Sequence, residues 1–198
     1  MEKKFLFFDT ETTGLPPRNG NPLTMFRQWP HICQLSWSFD GKENDFIIRP
    51  DGWEIPPETT EVHGITQSFA IANGYPFQYA VDKFIVDIQK ADYIVAHNIR
   101  FDVHFIVANY IREYGADDFK KNVQPFILKE RQIDTMMATI NFVNAKHADG
   151  RPGKWLRLEE LYDKLFPGET YPAHNAIEDV RALERCFREC VKRGIIKV

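Results

Sequence analysis

The first apolar segment of the chain, FLFF, runs directly into the polar segment DTET. Side chains alternate between the two faces of a strand, so residues two positions apart share a face. We predict a strand over residues 4–9. Because both of its faces are apolar, we expect it to be central in a sheet covered on both sides. One face is predicted to carry Phe5, Phe7, Asp9 and Glu11, and the other Leu6, Phe8 and Thr10.

The rest of the pattern predicts hairpin strands first and then strands that alternate with helices. The turn Asp40-Gly41 joins two predicted strands, and a linker rich in proline and threonine follows them. This order is typical of an α/β domain with a mixed sheet. The predicted strands cover residues 32–39, 45–50 and 93–97, and the predicted helices cover 77–89, 100–114 and 176–192.

Two of these helices are predicted from apolar residues at helical spacing. The helix over 77–89 should pack on the sheet through Ala80, Val81, Phe84, Ile85 and Ile88. The final helix should do so through Ala176, Val180, Leu183, Phe187 and Val191.

The composition fits one globular domain over residues 1–198, with 43% hydrophobic and 27% charged residues. The formal net charge of -3 predicts no general basic surface that would hold duplex DNA by its phosphates. Any nucleic-acid contact should therefore be local. Candidates for such contacts are basic residues in or beside predicted loops, each of which, taken alone, fits ordinary solvated surface somewhat better: Arg18, Arg27, Lys146, Arg151, Lys154 and Arg157.

The apolar run in the N-terminal segment MEKKFLFFD is too short for a signal peptide or a membrane span. We therefore expect a cytoplasmic protein without membrane contact. Three cysteines, Cys33, Cys186 and Cys190, show no C-x-x-C spacing, so a disulfide framework is not expected. Cys186 and Cys190 are predicted to pack on a helix.

Asp9 and Glu11 place two carboxylates on one face at the end of a buried strand. Such like charges raise each other's pKa or bind a cation. Carboxylate oxygens suit hard ions such as Mg²⁺ or Mn²⁺ better than zinc. Taken alone, a D-x-E is also compatible with a strand that runs into a polar loop.

A second acid, Asp102, follows the predicted strand at 93–97. Asn98 is a plausible N-cap, which would put Asp102 in the first turn of a helix. That turn begins at the carboxyl end of a strand and should reach the same crevice as Asp9 and Glu11. The favourable interaction of an acid with the helix dipole is an alternative explanation.

A third signal is the pair His174 and Asp179. Five positions correspond to about 140° of helical rotation, so both side chains cannot share a face of one helix. Asn175 with Glu178 matches an N-x-x-E capping box, which predicts that the helix begins just after His174. The histidine would then precede an acid in the first turn, as a general base requires. Alone, each residue is also compatible with a structural role.

Together the three motifs D-T-E-T-T-G, N-x-x-F-D and H-x-x-x-x-D, in this order, resemble the DEDD superfamily of 3′-to-5′ exonucleases. The resemblance is to its DEDDh, or DnaQ-like, branch, which includes the proofreading subunit of bacterial replicative polymerases, RNase T and oligoribonucleases. Segments HGIT at 63–66 and IDTMMA at 133–138 extend it over most of the chain. It implies an RNase H-like fold, an α/β architecture with helices flanking a mixed five-stranded sheet.

Carried over to this sequence, the resemblance implies that Asp9, Glu11, Asp102 and Asp179 bind two divalent cations, Mg²⁺ or Mn²⁺. His174 would be the general base. The residues that the resemblance places near the substrate are Thr12, Thr13, Gly14, His63, Gly64, Ile65 and Phe101. Core packing is an alternative role for Ile65 and Phe101.

The resulting hypothesis is a metal-dependent 3′-to-5′ exonuclease that releases nucleoside 5′-monophosphates from single-stranded DNA or RNA, with DNA favoured. An accessory protein that keeps the fold but acts by interaction is the alternative, and hydrolysis of a small phosphodiester is a third interpretation. The chain ends five residues after Arg193, so we expect no tethering tail for a polymerase. Polymerase association, homodimerisation and the roles of predicted loops 115–132 and 143–157 stay open.

Overall fold

The centre of the molecule is a five-stranded sheet in the order β3-β2-β1-β4-β5. A computed structural model describes residues 3–147, 149 and 151–198. Parts of the predicted basic start and of loop 143–157 lie outside the described residues. The strands are β1 (Phe5–Thr12), β2 (Ile32–Phe39), β3 (Lys42–Ile47), β4 (Tyr93–Ala96) and β5 (Gln132–Asp134).

Strand β1 is central, as its two apolar faces predict. It pairs antiparallel with β2 and parallel with β4. β3 extends the antiparallel side and β5 the parallel side. The β2–β3 turn has positive φ at both Asp40 (53°) and Gly41 (73°), the backbone of a tight hairpin turn. The predicted mixed sheet of an α/β fold is confirmed.

The helices cover the two faces of the sheet. On one face, α3 and α4 pack against Leu6 and Phe8. On the other, α7 and α8 pack against Phe7 and Val95. The helices are α1 (Pro57–His63), α2 (Gln67–Asn73), α3 (Phe77–Lys90), α4 (Ile99–Tyr114), α5 (Ala116–Asn122), α6 (Thr135–Val143), α7 (Leu158–Leu165) and α8 (Ala176–Lys192).

The predicted apolar faces of two helices agree closely with the observed burial. All five residues predicted for α3 are buried. In α8, Val191 is only partly buried, whereas Cys186 and Cys190 are fully buried thiols that contact the core. The prediction that these two cysteines pack on a helix is confirmed.

Four predicted stretches were wrong in detail. β1 runs to Thr12 rather than ending at residue 9, because Thr10, Glu11 and Thr12 continue the pairing with β2. β3 covers Lys42–Ile47 rather than residues 45–50, because pairing starts directly after the Asp40-Gly41 turn. The proline- and threonine-rich linker contains α1 and α2. Predicted loop 115–132 contains α5, whose acidic first turn and basic last turn complement the helix dipole, while Phe119 is buried.

Among the described residues, none of the helices is both long and apolar enough to cross a bilayer.

Candidate active site

The carboxyl end of β1 and the first turns of α4 and α8 open into one cleft of about 510 Å³. Parallel strands β1 and β4 end on the same side of the sheet, so the helix that follows β4 begins there. The cleft is lined by the four acids and the histidine predicted as its chemistry-bearing residues, namely Asp9, Glu11, Asp102, His174 and Asp179.

Three of the acids form a compact carboxylate cluster. One oxygen each from Asp9, Glu11 and Asp179 lies within 4.8 Å of the others. Asp9 and Glu11 face the same side because two positions separate them on β1, and α8 packs on that side. Asp179 reaches them from the first turn of α8. Two distant parts of the sequence therefore complete one oxygen-rich site.

Burial raises the pKa values of all three clustered acids, and neighbouring carboxylates raise them further. Burial raises the pKa of Glu11 to about 8, with further contributions from Asp179 and Asp102. The pKa of Asp9 is raised well above its usual range, first by burial and then by the charges of Asp102, Asp179 and Glu11. Burial also raises the pKa of Asp179. Without a cation, the ionised cluster is thus electrostatically unfavourable.

Asp102 is almost fully buried, 2% exposed, and lies outside the group of three. Its Oδ1 accepts hydrogen bonds from the backbone N–H of Thr10 at 3.0 Å and from the Thr10 hydroxyl at 2.8 Å. Burial raises the pKa of Asp102 to about 7, and the two bonds from Thr10 oppose that rise. Thr10 therefore fixes the direction of this carboxylate.

Both oxygens of Asp179 are hydrogen-bonded. Oδ1 accepts from the Tyr171 hydroxyl at 2.8 Å, and Oδ2 accepts from the backbone N–H of His174 at 3.0 Å. The His174 ring is half-exposed, and its Nε2 lies 3.5 Å from Oε1 of Glu159 on α7. The segment before α8 thus ties the histidine to one of the clustered acids.

Asn98 and Asn175 occupy the predicted N-cap positions of α4 and α8, but neither side chain makes a capping hydrogen bond. Asn98 precedes α4 in a left-handed backbone conformation, φ 66°. Asn175 precedes α8 without a capping bond, and its buried Oδ1 has no hydrogen-bond partner among the described residues. Glu178 forms an ion pair with Arg181 instead of closing the capping box.

The segment after β1 is held by the residues that precede β2. The Thr13 N–H donates to the His31 carbonyl, and the His31 N–H donates to the Thr13 hydroxyl, both at 2.9 Å. Thr12 donates from its hydroxyl to the carbonyl of Gly14. These bonds order the predicted substrate segment 12–14 beside the acids.

The other predicted substrate residues lie in different surroundings. Phe101 is partly buried and lines the cleft. His63 and Ile65 are buried, 6% and 5% exposed, and the Ile65 N–H donates to Nδ1 of His63. Gly64, between them, is exposed and takes φ 75° at the end of α1. A role of this segment in substrate binding stays a prediction.

Sequence reasoning missed several residues of the site, among them Thr10, Glu159, Tyr171 and Trp155. Thr10 had a usable signal, because the period of the strand points it toward the opposite face, where α4 packs. Glu159, in the first turn of α7, has the ordinary pattern of an acid at a helix start. Tyr171 and Trp155 carry no pattern that marks them, because their positions depend on loops whose course the sequence does not specify.

The donor set fits hard divalent cations. Carboxylate oxygens from separate elements converge, and burial together with the charges of neighbouring acids raises the pKa values of Asp9 and Glu11. Within the described part of the chain, the ion pairs near the cleft involve other acids, such as Lys154 with Glu160. Mg²⁺ or Mn²⁺ would supply the missing positive charge to oxygen ligands that these ions prefer.

A family model for exonucleases of the RNase T type matches residues 6–187, which is most of the chain. The chain belongs to this family. Its members are the DnaQ-like 3′-to-5′ exonucleases, and the resemblance of the three motifs is thereby confirmed.

Two curated relatives of this chain are long polymerases. The chain is 34% identical over 131 residues to DNA polymerase III PolC-type of Streptococcus pyogenes. This alignment covers 64% of the chain and 8% of the relative. The chain is 33% identical over 114 residues to the Mycoplasmopsis pulmonis protein of the same name, covering 56% of this chain and 7% of that one. The chain thus spans under a tenth of the length of these relatives.

The fold is that of a solved exonuclease. E. coli exonuclease I in complex with a dA16 oligonucleotide superposes with a TM-score of 0.67 at 22% identity, covering 96% of this chain and 41% of that one. At 22% identity, this structural similarity is evidence for the fold alone. The predicted RNase H-like fold is confirmed.

Proposed function

We propose that this chain is a metal-dependent 3′-to-5′ exonuclease that hydrolyses single-stranded nucleic acid to nucleoside 5′-monophosphates. The observation that carries the proposal is the cluster of Asp9, Glu11 and Asp179 within 4.8 Å, with Asp102 and His174 in the same cleft. Membership of the exonuclease family supports the direction of hydrolysis.

Hydrolysis of a phosphodiester needs a nucleophilic hydroxide near neutral pH and stabilisation of charge on the leaving oxygen. Asp9, Glu11, Asp102 and Asp179 would hold two divalent cations, which when bound lower the pKa of water and neutralise that charge. His174 accepts the proton of the attacking water, a role worth roughly 10² to 10⁴ in rate. Its half-exposed ring and its backbone bond to Asp179 put it beside the acids while leaving it access to solvent.

The remaining residues around the acids suit a substrate without paired bases. Part of the cleft wall is aromatic or apolar, formed by Phe101, Met136, Trp155, Leu156 and Leu158. The net charge of -3 disfavours binding of duplex by phosphate contacts alone. E. coli exonuclease I has been solved with a dA16 oligonucleotide, which favours DNA as the substrate here. The PolC-type relatives suggest that association with a polymerase is worth testing.

The test follows single-stranded DNA and RNA, each labelled at the 5′ end, with Mg²⁺ or Mn²⁺. The wild type is compared with the double variant Asp9→Asn, Glu11→Gln, which keeps the shape of both side chains. A ladder that shortens from the 3′ end, and is lost with EDTA and in the variant, is expected. Intact label with every metal, from folded protein, would contradict the proposal and favour an accessory role through interaction.

A further inference from the structure

Trp155 is an exposed aromatic residue on the wall of the cleft that holds the acids. Its side chain is 60% exposed, although tryptophan is usually largely buried in a folded chain. It precedes α7, in the stretch 143–157 whose role the sequence left open. An exposed indole in this position leaves a large apolar face turned to the solvent beside Asp9 and Glu11.

The backbone around Trp155 is fixed, although its ring is exposed. On one side, the Lys154 ammonium pairs with Glu160 at 2.5 Å. On the other, His97 Nε2 donates to the Leu156 carbonyl at 2.7 Å, and the Arg157 N–H donates to Glu160 at 2.9 Å. The indole is therefore carried on an ordered segment, and little entropy is lost when a ligand contacts it.

The side chains of the cleft carry little positive charge. Arg157 is the only lysine or arginine among the described residues that line the cleft, and its Nε lies 3.8 Å from Glu159. Phosphates 5′ of the scissile bond therefore gain little binding affinity from lysine or arginine side chains of the cleft. Stacking of a base on an aromatic ring is an alternative source of affinity, and it tolerates any base.

We propose that Trp155 is a preformed platform on which an unpaired base next to the scissile phosphate stacks. A base within a duplex is already stacked and paired, so it must be extruded before it can reach the indole. Trp155 therefore makes the enzyme select unpaired 3′ ends over paired ones. This inference rests on the proposed exonuclease function.

The experiment measures kcat/KM of the wild type, Trp155→Ala and Trp155→Phe on a 5′-labelled single-stranded DNA. Tyr79→Ala is the matched control, because Tyr79 is an aromatic residue of α3 that is 47% exposed and lies outside the cleft. Two further substrates carry an abasic residue at the terminal or at the penultimate position. A duplex with a matched or a mismatched 3′ end completes the set.

Trp155→Ala should lower kcat/KM on the ordinary single strand by about ten-fold or more, and Trp155→Phe by much less. The loss should shrink on one of the abasic substrates. The preference for the mismatched over the matched duplex end should narrow in Trp155→Ala. Tyr79→Ala should match the wild type.

An unchanged kcat/KM in Trp155→Ala would overturn the inference, and so would an equal loss on the ordinary and both abasic strands. Because the ring is exposed, the variant is expected to melt like the wild type, and a thermal melt checks that a loss of activity is not a loss of fold. If the wild type cleaves none of the strands, the proposed function itself fails, and this result differs from a wild type that cleaves without depending on Trp155.

Discussion

Thr10 donates two hydrogen bonds to the same carboxylate oxygen of Asp102, one from its backbone at 3.0 Å and one from its hydroxyl at 2.8 Å. Thr10 lies between Asp9 and Glu11 on β1 but faces the opposite side of the sheet. The strand therefore supplies two acids on one side and positions a third, from α4, on the other. Both bonds favour the ionised carboxylate, against the effect of its burial.

We expect Thr10→Val to weaken cation binding by about ten-fold, the usual cost of losing a residue that orients a metal ligand. Valine keeps the shape and the backbone bond but removes the hydroxyl, so the pKa of Asp102 should rise. Calorimetric titration with Mn²⁺ measures the affinity, and Thr10→Ser, which keeps a hydroxyl, is the control. An affinity equal to that of the wild type in Thr10→Val would show that the bond does not matter for the site.

The raised pKa of Glu11 predicts how stability depends on pH without metal. Its folded-state pKa of about 8 lies above its ordinary value of 4.5, so between these values the native state binds more protons than the unfolded state. The contribution of Glu11 to the free energy of unfolding is therefore present at low pH and lost as the pH rises through about 8. The raised pKa values of Asp9, Asp102 and Asp179 act in the same direction.

Thermal melts in EDTA from pH 5 to 9 check this prediction. For a domain of this size, each 1 kcal/mol lost lowers Tm by about 2 to 4 °C. Tm should fall toward alkaline pH, Mg²⁺ or Mn²⁺ should restore it most at high pH, and Glu11→Gln should flatten the profile. A metal-free Tm that rises between pH 6 and 8, with these groups intact, would contradict the assignment.

The sequence predicted the core of this fold because its strongest patterns are periodic. The alternation in β1 and the helical spacing in α3 depend on residues that are near neighbours in the chain. The bounds of β3 were missed because they depend on the geometry of the turn before it. Helix α5 was missed because it buries a single residue, Phe119, and so shows no apolar period. Such local features carry a weak signal in a single sequence.

The candidate site likewise contains residues that the sequence predicts and residues that it does not. Its charged residues stand in short motifs, and the topology of β1, β4 and α4 was enough to predict that they meet. Thr10, which orients Asp102, had a usable signal in the period of β1. Tyr171 and Glu159 were not predictable, because they reach the site from loops and helices whose packing is set by the whole fold. The predicted capping box of Asn175 and Glu178 failed for the same reason, since Arg181 attracts Glu178.

Arg112 stabilises the segment that leads to β2. Its guanidinium donates to the Asn109 side chain at 2.8 Å, to His31 Nδ1 at 3.1 Å and to the Phe26 carbonyl at 2.8 Å. The pKa of His31 is lowered to about 4 by burial and by Arg112, so the ring is neutral and can accept the bond. His31 in turn holds Thr13 beside the acids.

We expect Arg112→Met to destabilise the protein by about 1 to 3 kcal/mol, because it leaves buried acceptors without a donor. The alkyl part of the side chain is kept, so the loss reports the guanidinium. Urea unfolding measures the free energy, and Glu113→Gln, at the neighbouring exposed position, is the control. If the two variants unfold at the same urea concentration as the wild type, Arg112 does not stabilise this segment.

Substitution of His174 should affect catalysis without affecting metal binding, unlike substitution of a metal ligand. His174 has φ 65°, a left-handed conformation that asparagine tolerates well, and its backbone N–H donates to Asp179. His174→Asn should therefore keep the fold and the binding of Mn²⁺, yet lower kcat by roughly 10² to 10⁴, because the imidazole that accepts the proton is gone. Glu11→Gln should instead weaken Mn²⁺ binding itself. Equal loss of Mn²⁺ affinity in both variants would mean that His174 serves the metal site, and unchanged kcat in His174→Asn would exclude it as the base.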